Sequence, residues 1–148
     1  MTSTPLPETG PAAHDEWAAV RQVYLDHLAE EGYRPSVDED GDVHFKHEGG
    51  HYYITHNSDE GYLQVLFPNF WSIDSPEELQ AAYRAVSVVN NGYKVVKFYV
   101  RADETNLHAT AELFITSPHV AVLHLSRCLD VLTTAQRTFR EEMNARVG

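Results

Sequence analysis

The sequence holds a single cysteine, Cys128, so no disulfide can form within the chain. That cysteine sits inside a helical apolar pattern, which predicts a buried thiol and a reducing, cytoplasmic setting. Basic residues are also scarce: 11 Lys and Arg stand against 22 Asp and Glu. So negative a surface repels phosphate backbones, and no direct nucleic-acid binding is expected. The densest basic stretch, Arg137 to Arg146, is broken by Glu141 and Glu142 and reads as a solvated helix face. Nowhere does apolar sequence approach the roughly 20 residues of a membrane span, so no membrane partner is expected either. Met1 to Ala13 lacks Lys, Arg and any continuous apolar run, which argues against a secretory signal. With its three prolines this stretch reads as a disordered leader, ahead of one domain over residues 14–148.

Motifs of catalysis are missing as well: there is no G-x-S-x-G elbow, no G-x-G-x-x-G and no phosphate-cradling glycine loop. One motif has the right letters. His47-Glu48-Gly49-Gly50-His51 matches H-E-x-x-H, which binds zinc when a helix sets two histidines one turn apart. Two adjacent glycines would cost such a helix about 2 kcal/mol relative to alanine. Both flanks alternate like strands, so the motif reads as a hairpin with Gly49-Gly50 as its turn, His47 facing Tyr52 and Glu48 facing His51. The two histidines then point to opposite faces, and the other seven show no ligand spacing. Asp38-Glu39-Asp40-Gly41-Asp42 resembles the start of a calcium loop, but Gly49 stands where the bidentate glutamate belongs, so the run reads as an acidic hairpin tip. The expectation is no enzyme, no metal and no cofactor.

What the sequence does contain is periodicity. Trp17, Val20, Tyr24 and Leu28 follow a helical spacing that Gly32 and Pro35 end. The period then changes to two, in Val43 and Phe45, in Tyr52 and Ile54, and in Leu63, Val65 and Phe67, with turns at Asp40-Gly41, Gly49-Gly50 and Asn57 to Gly61. Ser75, Pro76 and Glu78 supply an N-cap, a first-turn proline and a capping-box carboxylate for a second helix, which Gly92 closes. Strands follow over Tyr93 to Arg101 and Leu107 to Thr116. Ser117-Pro118 opens a long last helix with the stripe Val122, Leu125, Leu129, Leu132, Phe139 and Met143. The order is helix, strands, helix, two strands, helix, the signature of an α+β domain with an antiparallel sheet covered by helices on at least one face.

Alternation puts Tyr53, Tyr62 and Tyr99 opposite Ile54, Leu63 and Val100, so these tyrosines, with Trp71 at a strand exit, form a candidate partner-binding face. In the second helix Ala81, Ala85 and Val88 add a second apolar stripe beside the core stripe Leu79, Ala82, Tyr83, Val86 and Val89. That stripe predicts a homodimer interface, with the chain's own first or third helix as the competing cover.

These features resemble the YbjN-like family of small bacterial domains. The carriers are the helix before an acidic Asp-Gly hairpin, the strand Tyr52-Tyr53-Ile54, the exit Phe70-Trp71, the helix end Val89-Asn90-Asn91, the run Lys94-Val95-Val96-Lys97, and Ala109 to Ile115 leading into a long helix. The resemblance implies a fold similar to type III secretion chaperones, which hold a partner polypeptide on their surface and are usually dimeric, and a role in regulation or stress response. The expected function is therefore a non-catalytic, chaperone-like module that binds another protein as a homodimer. The alternative is an enzyme or small-ligand sensor with a site between sheet and helices.

Overall fold

The computed structural model describes residues 11–56 and 61–147, with side chains from Glu16 onward. Its elements run α1 (Pro11–Glu30), β1 (Ser36–Val37), β2 (Val43–His47), β3 (Gly50–Ile54), β4 (Tyr62–Phe67), α2 (Pro76–Gly92), β5 (Val96–Val100), β6 (Leu107–Phe114) and α3 (Pro118–Val147). The α+β order expected from the periodicity is the order observed, with the two-residue β1 added ahead of the first hairpin. Of the leader expected over 1–13, residues 1–10 lie outside the described residues and 11–13 begin α1.

All strand pairings are antiparallel, in the spatial order β1-β2-β3-β4-β6-β5. The chain leaves β4, crosses through α2, and returns by the β5–β6 hairpin, so that β6 slots between β4 and β5. One face of this sheet is apolar apart from His47 at its hairpin end. Val43, Phe45, Tyr52, Ile54, Leu63, Val65, Phe98, Leu107, Ala109 and Ala111 are all buried there against the helices. They meet Tyr24 and Leu28 from α1, Ala82 and Val89 from α2, and Leu125, Leu132, Phe139 and Met143 from α3. Fully burying one such large side chain stabilises the fold by roughly 1.5–3 kcal/mol, which makes this face the main driving force.

The local signals explain where elements start. Ser75 is extended (φ −154°) and its hydroxyl accepts from the Glu78 backbone N–H at 3.1 Å, while Glu78 reaches back to the N–H of Asp74 at 3.3 Å. This is a capping box displaced by one residue on its return arm. The helix end differs from expectation. Gly92 is the last helical residue, the extended Tyr93 is the cap, and the left-handed residue in this stretch is Val95 (φ 74°).

The first hairpin also needs correction. Its turn is Glu48-Gly49, both left-handed (φ 48° and 82°), and not Gly49-Gly50. Two residues with positive φ fit the type I′ turn that suits strand twist. His47 accordingly pairs with Gly50, and Lys46 with His51.

At the other edge of the sheet, α2 finishes what the strands cannot. The Asn90 side chain donates to the Phe98 carbonyl at 3.0 Å and accepts from the Phe98 N–H at 2.9 Å. One amide thereby occupies both backbone groups of Phe98, the central residue of β5, on the side away from β6.

The dimer stripe expected on α2 is covered from within. α2 packs against both α3 and β5, and Ala81 (6% exposed) and Ala85 (0%) are buried in a single copy. Only Val88 remains exposed. The competing cover, the chain's own third helix, is the one realised, because α3 is 30 residues long and reaches across the sheet to α2. Ala85→Arg should therefore destroy the fold, through overpacking and an unpaired buried charge worth roughly 3 kcal/mol or more. Val88→Arg should stay within about 0.5 kcal/mol of the parent. Urea unfolding of the two variants checks this, and similar stabilities would show that α2 is not packed as described.

Candidate functional site

Among the described residues, no helix lies over the second face of the sheet. The pairing register aligns its side chains: Ser36 and His44; Lys46 and His51; His44 and Tyr53; Tyr53 and Leu66; Tyr62 and Phe114; Gln64 and Glu112; Leu66 and Thr110; Lys97 and Thr110; Tyr99 and His108. Tyr53, Tyr62 and Tyr99 thus lie on one uncovered face, as the alternation predicts, each half-buried by its neighbours. Phe114, 85% exposed, extends the aromatic surface at the Tyr62 end, its ring edge-on to Tyr62 at 5.8 Å.

Trp71 does not join them. Its ring meets Phe139 of α3 at 5.9 Å, and the Arg140 guanidinium lies 5.9 Å from the ring centre. The segment after β4 is pinned to the start of β6 by Trp71 N–H to Asn106 Oδ1 (3.1 Å) and Phe70 N–H to Leu107 O (3.2 Å), which turns Trp71 to the helix side. Among the dimer residues, Ala81 and Ala85 are core and Val88 stands alone on the helix surface, so none of the three reaches the open face.

At the centre of this face is a residue that the sequence reading missed. Glu112 accepts from the Tyr62 hydroxyl (3.0 Å), the Gln64 amide (2.9 Å) and the Thr110 hydroxyl (3.1 Å), and forms an ion pair with Lys97 at 2.9 Å. Burial alone would raise its carboxyl, but the bonds from Lys97, Gln64 and Tyr62 outweigh that and hold it below the usual carboxylate value. The net ties β4, β6 and β5 together without any covering layer. Its signal was the alternation His108, Thr110, Glu112, Phe114 along β6.

The histidines split as expected and then regroup. His47 turns to the helix side, where the Tyr33 hydroxyl meets its Nδ1 at 2.7 Å. His51 turns to the open face, so the H-E-x-x-H letters hold no shared site. His51 instead meets His44 across the strands, Nδ1 to Nε2 at 2.8 Å, with ring planes 17° apart. Such a bond needs one proton between two nitrogens, so at most one of the rings is charged while it stands. His108 on the same face accepts the Asn69 backbone N–H at Nδ1 (3.0 Å), which requires that nitrogen bare.

The acidic tip is a turn held by its own carboxylates. Asp38 Oδ1 accepts from the N–H groups of Asp40 (3.0 Å) and Asp42 (2.9 Å), and Gly41 takes the left-handed position (φ 84°). The carboxylates of Asp38, Asp40 and Asp42 come within 4.8 Å of one another. Trp17 and Arg21 of α1 clasp the turn through the Gly41 carbonyl, at 2.7 and 3.1 Å.

Residues 19–148 match the family model described as T3SS (YopN, CesT) and YbjN peptide-binding chaperone 1. The chain belongs to this family. The match covers all of β1 to β6 and both later helices, so the uncovered face lies wholly within the family's domain. Two solved structures agree on the fold, from Methanothermobacter thermautotrophicus and E. coli. A protein from Methanothermobacter thermautotrophicus aligns with TM-score 0.62 at 14% identity, over 87% of this chain and 99% of its own. YbjN from E. coli aligns with TM-score 0.55 at 10% identity, over 77% and 86%. The Yersinia pestis type III secretion chaperone SycH, in complex with a stable fragment of YscM2, aligns with TM-score 0.47 at 15% identity, over 78% and 98%. No curated protein matches the chain. Among the described residues, no helix is long and apolar enough to cross a membrane.

Two histidines of the open face give this chain an acid response. His44 is held below the ordinary value of 6.5 by burial, then by His51 and Lys46, against Asp38; His108 is lowered by burial and Arg101, against the Leu107 backbone and Asp103. A folded value below the unfolded one means that the folded state binds fewer protons, so stability is fully present above 6.5 and falls as pH drops toward the folded values. Asp42 is raised, first by burial, and acts with the opposite sign in the more acidic carboxylate range. The unfolding midpoint should therefore be flat from pH 6.5 up to the alkaline range where the buried Cys128 thiol would have to ionise, and decline below 6.5. His44→Gln combined with His108→Gln should flatten that decline; an unchanged slope in the double variant would refute the assignment.

Proposed function

We propose that this chain is a non-catalytic binding module that holds an extended segment of another protein across the open face of its sheet, in a chaperone-like or regulatory role. The observation that carries the reading is the uncovered face itself. Tyr53, Tyr62, Tyr99, Leu66 and Phe114 offer apolar area without a helix over them, in a family described as peptide-binding. Tyrosine brings large contact area and loses little rotamer entropy on binding, which suits recognition of an extended chain. The open face is also electrostatically mild. In a chain of net charge −11, its strands present only Lys46, Lys97 and Glu112, and Glu112 is paired with Lys97. A segment of either sign can approach it.

The face is complete within one copy, so the proposal rests on a single chain and does not include a two-fold pairing through Ala81 and Ala85. The lone thiol of Cys128 is buried and pushed up to about 11, which suits an inert core residue and a cytoplasmic setting.

Photo-crosslinking residues placed at Tyr53 and Tyr99 should capture the bound segment, whereas one at Tyr83, exposed on α2, should not. Tyr53→Ser with Tyr99→Ser should weaken binding of the captured peptide by about tenfold or more, with stability changed by about 1 kcal/mol or less. Equal capture at Tyr83 would place the partner elsewhere, and unfolding of the double variant would make these tyrosines part of the core.

A further inference from the structure

On the helix side of the sheet, away from the open face, a cavity of about 210 Å³ lies between the β2–β3 hairpin and α3. His47, Gly50, Tyr52 and Phe67 line one wall, and Thr133, Gln136 and Arg140 line the other. The three helix residues are spaced three and four apart and so share one face of α3. Gly50 permits the close wall: a Cβ there would stand 2.8 Å from the Phe67 ring.

Much of the polar lining is already satisfied. The Thr133 hydroxyl donates to the Leu129 carbonyl at 2.7 Å. Glu48 at the rim is 3.8 Å from Arg137. The Tyr33 hydroxyl and His47 Nδ1 satisfy each other at 2.7 Å. What is left unspent is a pair of donors: the Gln136 amide and the Arg140 guanidinium. Among the described residues the Gln136 side chain has no hydrogen bond, and Arg140 has no carboxylate partner; its guanidinium lies near the Trp71 ring. Stacking on an aromatic ring limits how a guanidinium can turn and leaves its edge N–H groups available.

We propose that this cavity is a binding site for a carboxylate group on a short apolar stem. A guanidinium fork matches two carboxylate oxygens, the Gln136 amide adds a donor, and the Tyr52 and Phe67 rings receive the stem. One guanidinium, with Glu48 at the rim, suits a single negative charge better than a phosphate dianion. The site is independent of the reading of the open face, since it lies on the opposite side of the sheet.

The test titrates the full chain with acetyl-Ala-Ala bearing a free carboxyl end, the same peptide amidated, acetyl-glutamate amide and inorganic phosphate, followed through the amide resonances of Gly49 and Gly50. A carboxylate probe should shift these signals and the amidated peptide should not. The tighter of the two carboxylate probes tells whether a chain end or an acidic side chain is the natural form. Arg140→Met and Gln136→Leu should each weaken binding by about tenfold, with Arg140→Lys, which keeps the charge and loses the fork, in between, all at an unchanged unfolding midpoint. Tyr53→Ser with Tyr99→Ser should leave this binding intact, which separates its failure from that of the open-face proposal. Equal shifts from the amidated peptide, a preference for phosphate, no shift from either carboxylate at millimolar concentration, or full affinity in Arg140→Met would each overturn it.

Discussion

A six-stranded sheet has two faces, and the three described helices cover one of them. Everything else follows from how the other face survives in water. A wholly apolar surface would drive aggregation, and a wholly charged one would repel itself across strands less than 5 Å apart. The chain takes a middle course. Tyrosines, histidines, a threonine and a glutamine cover the backbone, and the Glu112 carboxylate collects the donors of Tyr62, Gln64 and Thr110. Thr110 can be fully buried in the middle strand because Leu66 and Lys97 flank it and Glu112 accepts its hydroxyl. Net contributions of about 1 kcal/mol per hydrogen bond, more where a charge takes part, make this a rigid floor even without a roof.

The helical layer is organised around small residues. Ala81, Ala82 and Ala85 on α2, with Ala121 and Ala135 on α3, are all buried. Short side chains let the helix axes approach, so two helices fit where one would leave sheet exposed. The larger residues gather below, where Phe70, Phe98 and Phe139 stand within 6.0 Å of one another, ring to ring. Arrangements of this kind reward shape complementarity and resist enlargement.

The fold was largely legible in the sequence because its signals are local. Ser75-Pro76 and Ser117-Pro118 mark helix starts through cap chemistry, and the period-two runs mark strands through burial of alternate residues. The site was legible only in its tyrosines. Placing the hairpin turn at Gly49-Gly50 moved it by one residue and the pairing by two, which keeps every side chain on its proper face but misaligns neighbours. His47 and His51 were therefore rightly separated, while the contact of His44 with His51 stayed hidden. Trp71 was assigned by its proximity to a strand end, and the Asn106 side chain that redirects it lies 35 positions away. The apolar circumference of α2 correctly announced burial on two sides; it could not announce that the second cover would come from 30 residues of the same chain.

The Asn90 clamp on Phe98 bears on what the molecule can become in a crowded solution. A β-sheet terminates wherever its last strand finds no neighbour, and a five-residue border strand such as β5 would ordinarily welcome one. Here the outward hydrogen-bonding valence of its central residue is saturated by a side chain. Growth of the sheet past β5 would first have to strip that amide away, so lateral polymerisation is disfavoured at this border by a single residue of α2.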